Sequence, residues 1–380
     1  MPEYPYHKSL RLQNFTVFKD TQFEFSPGVN AIIGENGSGK THLLKAMYAY
    51  NRPPSRDVPD IDAALRQLFQ TERVSDIVRS DTKPGSLLEV TGNYGDQDWT
   101  YAAHRSPKAS NGAGFGDGSG DGSGSGSGAG FGDGAGDGSG ANRDAHVVKS
   151  GEVKMTQPVF IPSMDMMGHT KGFREAYNSV VLDFDLTCYD ILNLFNLKSR
   201  VTANGSVPDA SHSRLTNLLG GEIVADDSSG RFFLKTATGR TDMPMVAEGL
   251  RKIASLVRLQ SNNWLVPGST LYWDEPEVNL NPILMQVLIE SVLSLSRHGV
   301  QVFLTTHSYV VLKELDLQAD DDDRIRFFSL QGNQKNGTEV SSTDDFTTLI
   351  PNSILNEYSS LYDRDLTRST GRSRTGERIR

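Results

Sequence analysis

The sequence predicts an α/β fold in which a mainly parallel sheet lies between helices. Three observations carry this prediction. A short apolar run at residues 29–33 ends in a glycine-rich loop and is followed by a helical pattern. Two further apolar runs, 269–273 and 300–305, are separated by one helix-length segment, 282–297. Parallel strands need a crossover of a dozen or more residues, usually helical, and this spacing supplies it.

The elements follow in order. Residues 8–12 and 22–25 alternate apolar and polar side chains and read as a hairpin. The helix after the glycine loop should run from Gly39 to Ala49, with Leu43, Leu44 and Met47 inward, and Pro53 and Pro54 end it. Residues 61–80 read as one polar helix, and 86–94 with 98–104 as a second hairpin. The segment 112–124 recurs almost unchanged at 128–140, within a glycine-rich insertion at 111–142. Such a sequence buries too little surface to offset its chain entropy and reads as a solvated loop. Its spaced Asp117, Asp121, Asp133 and Asp137 suggest calcium only weakly, because calcium-binding repeats need more turns.

Regular structure should resume with a strand at 159–161, followed by a helical lobe at about 171–197, with room for only a short lobe across 171–220. Residues 222–225 and 231–235 read as a hairpin. An amphipathic helix at 246–259 should bury Leu250, Ile253, Ala254 and Val257. Residues 326–330 read as an edge strand. This places one large head at 1–330 and an extension at 331–380, whose last 17 residues carry six Arg and read as a frayed tail.

Bulk properties narrow the function. A length of 380 residues with 37% hydrophobic side chains allows one large α/β domain with a packed core. A net charge of -9 argues against a wholly basic nucleic-acid binder while leaving room for a local basic patch. Cys188 is the lone cysteine, which excludes an internal disulfide and a cysteine-rich zinc site. The polar opening lacks a signal-peptide core, and no apolar run reaches the roughly 18 residues of a membrane span. The expectation is therefore a cytoplasmic protein without a membrane partner.

The strongest chemical signal is Gly34-Glu35-Asn36-Gly37-Ser38-Gly39-Lys40-Thr41, a complete P-loop between a strand and a helix. Glycines let backbone N–H groups wrap phosphates, and the helix N-terminus adds positive potential. Lys40 is expected to reach the β- and γ-phosphates of ATP, and Thr41 to hold Mg²⁺. The second signal is Leu271-Tyr272-Trp273-Asp274-Glu275, a buried strand delivering two acids to its end. Asp274 is expected at the Mg²⁺ shell and Glu275 at the attacking water. The third is His307, which an adjacent parallel strand would put beside Glu275, near the γ-phosphate.

These residues together resemble the ABC-type ATPase heads, in the branch with SMC proteins, RecF and the OLD-family ATPases. Leu10-Arg11-Leu12-Gln13-Asn14-Phe15 is similar to that branch's opening, Asp274-Glu275-Pro276-Glu277 with Leu280 and Pro282 to its acidic run, and Thr306-His307-Ser308 to its histidine switch. The likeness covers about 8–50 and 243–330. It implies a P-loop NTPase fold of the ABC-head kind: an antiparallel β lobe, a mainly parallel core sheet flanked by helices, and a short helical lobe.

The resemblance also implies an active site shared between two heads, with a signature loop of one capping ATP on the other. Ala247, Glu248 and Gly249, at the start of a helix, stand in its place, and Ala247 occupies a position where serine is usual. The resemblance further puts Asn281 in the loop that crosses the interface and Gln157 as a candidate for the glutamine loop. Phe15 and Phe18 are open between stacking on adenine and filling the core. The expectation is a head with neither the long coiled-coil arm of the SMC group nor an acidic nuclease module.

The leading functional reading is a Mg-ATP-hydrolysing head that forms a homodimer or higher homo-oligomer. It would control a separate effector protein, a nuclease or toxin, or a nucleic-acid transaction with DNA, in the manner of bacterial anti-phage ATPases. A RecF-like repair ATPase is the alternative within the class. A nucleotide-sensing scaffold with little turnover, motivated by Ala247, is the alternative outside it.

Overall fold

The computed structural model describes residues 4–105, 145–148, 158–173, 176–177, 183–197, 210–226, 229–333 and 337–370. Its centre is a six-stranded sheet in the order β14-β13-β3-β12-β11-β7. The strands are β3 (Val29–Gly34), β7 (Val159–Ile161), β11 (Thr270–Asp274), β12 (Gln301–Thr305), β13 (Ile325–Asn333) and β14 (Gly337–Thr343). The first five are parallel and β14 is antiparallel. Every residue of β3, β11 and β12 is buried. That burial explains why these strands read as continuous apolar runs: helices cover both faces of a parallel sheet.

Those helices are α1 (Lys40–Asn51), α2 (Ile61–Phe69), α3 (Leu186–Asn196), α4 (Ala210–Leu219), α5 (Glu248–Ser261), α6 (Pro282–Arg297), α7 (Tyr309–Gln318) and α8 (Ser353–Thr370). On α1 the expected Leu43, Leu44 and Met47 are buried. On α5, Ile253, Ala254 and Val257 are buried and Leu250 packs against the core from a half-buried position.

A second, antiparallel sheet has the order β2-β1-β4-β5-β6. It comprises β1 (His7–Phe15), β2 (Phe18–Glu24), β4 (Leu87–Tyr94), β5 (Gln97–His104) and β6 (Ala145–Val148). Both expected hairpins are here, the first longer than its sequence pattern because ladder hydrogen bonds extend past the apolar residues, the second within one residue of its expected bounds. Gln301 joins the two sheets: its Nε2 donates to the carbonyls of His7 at 2.9 Å and Ser26 at 2.8 Å. A small third sheet, β10-β9-β8, contains the expected hairpin β8 (Gly221–Asp226) and β9 (Arg231–Thr236), with β10 (Gly239–Asp242) added.

Three expectations change. The helix at 61–80 stops at Phe69, where Gln70 turns left-handed (φ 51°), and a short 3-10 turn, Val74–Ile77, follows. The polar stretch Gln70-Thr71-Glu72-Arg73 offers no side chain to a helix's inner face, and Val78 instead bridges to Phe15. The strand at 326–330 is interior, between β3 and β14, so β14 is the edge. The extension beyond 330 is built into the head: β13 runs through that point and α8 carries the described chain to Thr370. The glycine-rich insertion at 111–142 and Gln157 lie outside the described residues, as do 371–380. Among the described residues no helix is long and apolar enough to cross a membrane.

Candidate active site

Register places the site. Thr305 of β12 lies opposite Asp274 of β11 on one side and Ile32 of β3 on the other. Gly34 follows two residues after Ile32, so the glycine loop and both acids emerge at one carboxyl edge, where open α/β sheets bind their ligands.

The loop has the features of a phosphate cradle. Gly39 has φ 102°, and a Cβ there would stand 2.6 Å from Val17 and 2.7 Å from Phe18. Only glycine therefore allows the loop to pass beneath β2 and open into α1. The N-terminus of α1 has no side-chain cap and no acidic residue in its first turn, which leaves N–H groups and dipole for an anion. Lys40 is 6% exposed, and its Nζ donates to the carbonyls of Gly34 at 2.9 Å and Glu35 at 3.1 Å. Burial pulls the Lys40 pKa down, against the carboxylates of Glu275, Asp274 and Glu277, which raise it. Ser38 Oγ is buried and has no hydrogen-bond partner among the described residues.

Across from the loop, Asp274 is held by two hydroxyls. Thr41 Oγ1 donates to it at 2.9 and 3.1 Å, and Thr305 Oγ1 at 2.5 Å. The Glu275 N–H donates back to Thr305 Oγ1 at 3.1 Å. Glu275 has φ 47°, a left-handed backbone unusual for a non-glycine residue. Its Oε1 lies 3.3 Å from His307 Nε2, and both side chains are about one-third exposed. Glu277 fixes the chain after β12: its Oε1 accepts from Thr306 Oγ1 at 2.8 Å and from the His307 N–H at 2.7 Å.

These side chains match what Mg-ATP asks of a protein. The orphaned Ser38 hydroxyl, the uncapped helix and the buried ammonium suit a polyphosphate. A hydroxyl and a carboxylate in contact suit Mg²⁺, which takes few protein oxygens and completes its shell with water and phosphate.

Ala247, Glu248 and Gly249 form the start of α5. Ala247 is its exposed N-cap residue and supplies no side-chain cap. Gly249 is buried, and a Cβ there would lie 2.9 Å from the Asn279 carbonyl. Glu248 Oε1 accepts from Asn279 Nδ2 at 2.8 Å. Asn279, left-handed at φ 60°, is thus the residue of the loop after β11 that meets the α5 start. Asn281 instead caps α6, its Oδ1 accepting from the Ile283 N–H at 3.0 Å. Phe15 and Phe18 are fully buried, edge-on to Phe69 and Phe23, which settles both as core and leaves neither for adenine.

Thr305 and Lys252 were not singled out in the sequence, Glu277 was given no role, and Asn279 was placed in the loop after β11 while the role went to Asn281. A cavity of about 370 Å³ beside the loop, walled by Glu35, Leu330, Gln331, Glu339 and Pro351, was also not foreseen, since most of its wall comes from the extension.

Comparison with known proteins agrees with this geometry. Residues 9–50 match a model described as an AAA domain, and residues 190–313 one described as "AAA domain, putative AbiEii toxin, Type IV TA system". The DNA replication and repair protein RecF of Chlamydia abortus is 50% identical over 40 residues, 10% of this chain and 11% of that protein. RecF of Oenococcus oeni is 44% identical over 55 residues, 14% of this chain and 15% of that protein. The chain thus spans about a tenth of the length of these curated relatives. The SMC head of Pyrococcus furiosus, solved with an extended coiled coil and bound to the C-terminal domain of ScpA, superposes with a TM-score of 0.51. It is 10% identical, and the match covers 95% of this chain and 100% of that one. An SMC head bound to the C-winged helix domain of ScpA superposes with a TM-score of 0.50 at 12% identity, over 89% and 97% of the two chains.

Fold and glycine loop together define a P-loop fold on the SMC-head plan. Within that class the chain is similar in fold to SMC heads over most of its length, and similar in sequence to RecF over its opening segment.

Proposed function

We propose that this chain binds Mg-ATP in the glycine loop and hydrolyses it, and that two copies close head to head around the nucleotide to control a partner. The observation that carries the reading is the chain of contacts Thr41–Asp274–Thr305–Glu275–His307 along one sheet edge, facing Lys40. In this reading Lys40 and the loop N–H groups bind the phosphates, and Thr41 and Asp274 would hold Mg²⁺, which would supply charge neutralisation there. Glu275 takes a proton from the attacking water. His307, beside it, senses the γ-phosphate. Ala247, Glu248 and Gly249 cap the nucleotide of the second head.

The exposed start of α5 supports a shared site, because its N-cap Ala247 supplies no side-chain cap and leaves N–H groups for an anion brought from outside, against the charge of Glu248 in the first turn, which opposes one. The ScpA-bound SMC heads of similar fold, and the toxin-system model matched at 190–313, support a head that works through a separate effector, as in anti-phage defence. The RecF likeness at 9–50 supports the alternative of DNA repair. Ala247 favours a second reading, a nucleotide-sensing scaffold, since it removes a hydroxyl donor from the capping turn.

Steady-state phosphate release separates these. Wild type should release phosphate. Glu275→Gln should retain ATP binding and turn over at least about a hundredfold more slowly, the usual worth of a positioned general base. Lys40→Ala should lose ATP binding. Wild type and Glu275→Gln equally silent, with ATP bound, would establish the scaffold.

A further inference from the structure

Lys252 is 2% exposed, on α5, three residues past Gly249. A buried ammonium normally requires a paired carboxylate. Among the described residues none comes within ion-pair distance, although Glu248, Glu277, Asp165 and Glu275 are near enough to act on its charge. Its Nζ instead donates to the backbone carbonyl of Glu275, at 3.4 Å. That peptide needs holding. A left-handed non-glycine backbone costs on the order of 1 kcal/mol or more and persists only where its surroundings over-determine it. The Glu275 amide is held by Thr305 of β12, and its carbonyl also takes the Val278 N–H at 3.2 Å. Glu277 Oε2, buried without a partner, leaves a negative site close by. The neighbouring Arg251 anchors the same turn of α5, its Nε donating to the buried Asp165 at 2.6 Å.

We propose that Lys252 is a positioning residue for Glu275: its ammonium holds the Glu275 carbonyl, fixes the left-handed backbone that aims the carboxylate, and ties that aim to α5. Lys252 lies one helical turn from Gly249, so a displacement of the α5 start reaches it through a rigid segment. The element read as capping a second head's nucleotide is thereby linked, within its own chain, to its own general base. The inference rests on the hydrolytic reading above.

The test is steady-state phosphate release at saturating Mg-ATP, with ATP affinity measured in parallel, for Lys252→Met, Lys252→Gln and Lys252→Arg. Loss of a charged hydrogen bond at a reacting group predicts a kcat about 10 to 100-fold lower in Lys252→Met. ATP affinity should stay within about twofold, and Lys252→Arg should recover part of the rate. If Lys252→Met does not fold, Lys252→Gln decides on the same two measurements. An unchanged kcat, or a fall in affinity that matches the fall in rate, overturns the proposal. A silent wild type sinks the hydrolytic reading and this inference with it, whereas an active wild type with equally active Lys252 variants sinks this inference alone.

Discussion

Thr305 joins the two acids of the site. Its hydroxyl donates to Asp274 at 2.5 Å and accepts from the Glu275 amide at 3.1 Å, so one oxygen sets both the Asp274 carboxylate and the backbone that carries Glu275. Thr305→Val keeps the shape and removes both bonds. Hydrogen bonds to charged groups contribute about 1.5–3 kcal/mol, which corresponds to about 10 to 100-fold in rate. The expected outcome is a kcat reduced by that factor, with a fall of a few degrees in melting temperature from the part-buried Glu275 amide left unpaired, measured by phosphate release and thermal unfolding. Residues at this scale were legible in the sequence where their chemistry is written contiguously. The glycine loop and the acid pair are such runs, and His307 follows its strand at a readable spacing. Thr305, Glu277 and Lys252 were not legible as site residues. Their partners lie 31, 29 and 23 residues away, and only strand register and helix packing bring them together.

Between elements, the nucleotide-loop helix is fastened to the helical lobe by buried charge. Arg52, the C-cap residue of α1, donates to both oxygens of Asp190 on α3, at 2.6 and 3.0 Å, and Tyr48 of α1 adds a third bond at 2.8 Å. Lys45, further up α1, pairs at 2.6 Å with Asp185, which caps α3. The side chains of Arg52 and Asp190 are under a tenth exposed, so breaking the pair leaves a desolvated charge. Arg52→Met should therefore cost about 3–5 kcal/mol of stability, measured by denaturant unfolding. A loss below about 1 kcal/mol would place the pair among solvated ones. Strands and helices with a strong apolar period were legible from sequence, as β3, β11, β12, α5 and α6 illustrate. β14 was not. Its residues Gly337–Thr343 are mostly polar, and it owes its existence to pairing with β13 from Phe327 to Asn333. The interior position of β13 was hidden for the same reason, since an unseen neighbour makes a strand look like an edge.

At the scale of the whole molecule, the proposed closure of two heads needs two half-sites on one chain: the glycine loop with its acids, and the start of α5 with Asn279. Their contact through Gly249 and Glu248 makes the second half-site a packed unit, and Lys252 ties it to the first. Two heads related by a two-fold axis would each give one half-site to each nucleotide. The mass of Glu275→Gln in solution, with and without saturating Mg-ATP, reads this most directly. The account predicts a monomer without nucleotide and a stable dimer with it, and predicts that Lys40→Ala introduced into the same chain abolishes the shift. A Glu275→Gln protein that binds ATP and keeps the monomer mass would contradict it.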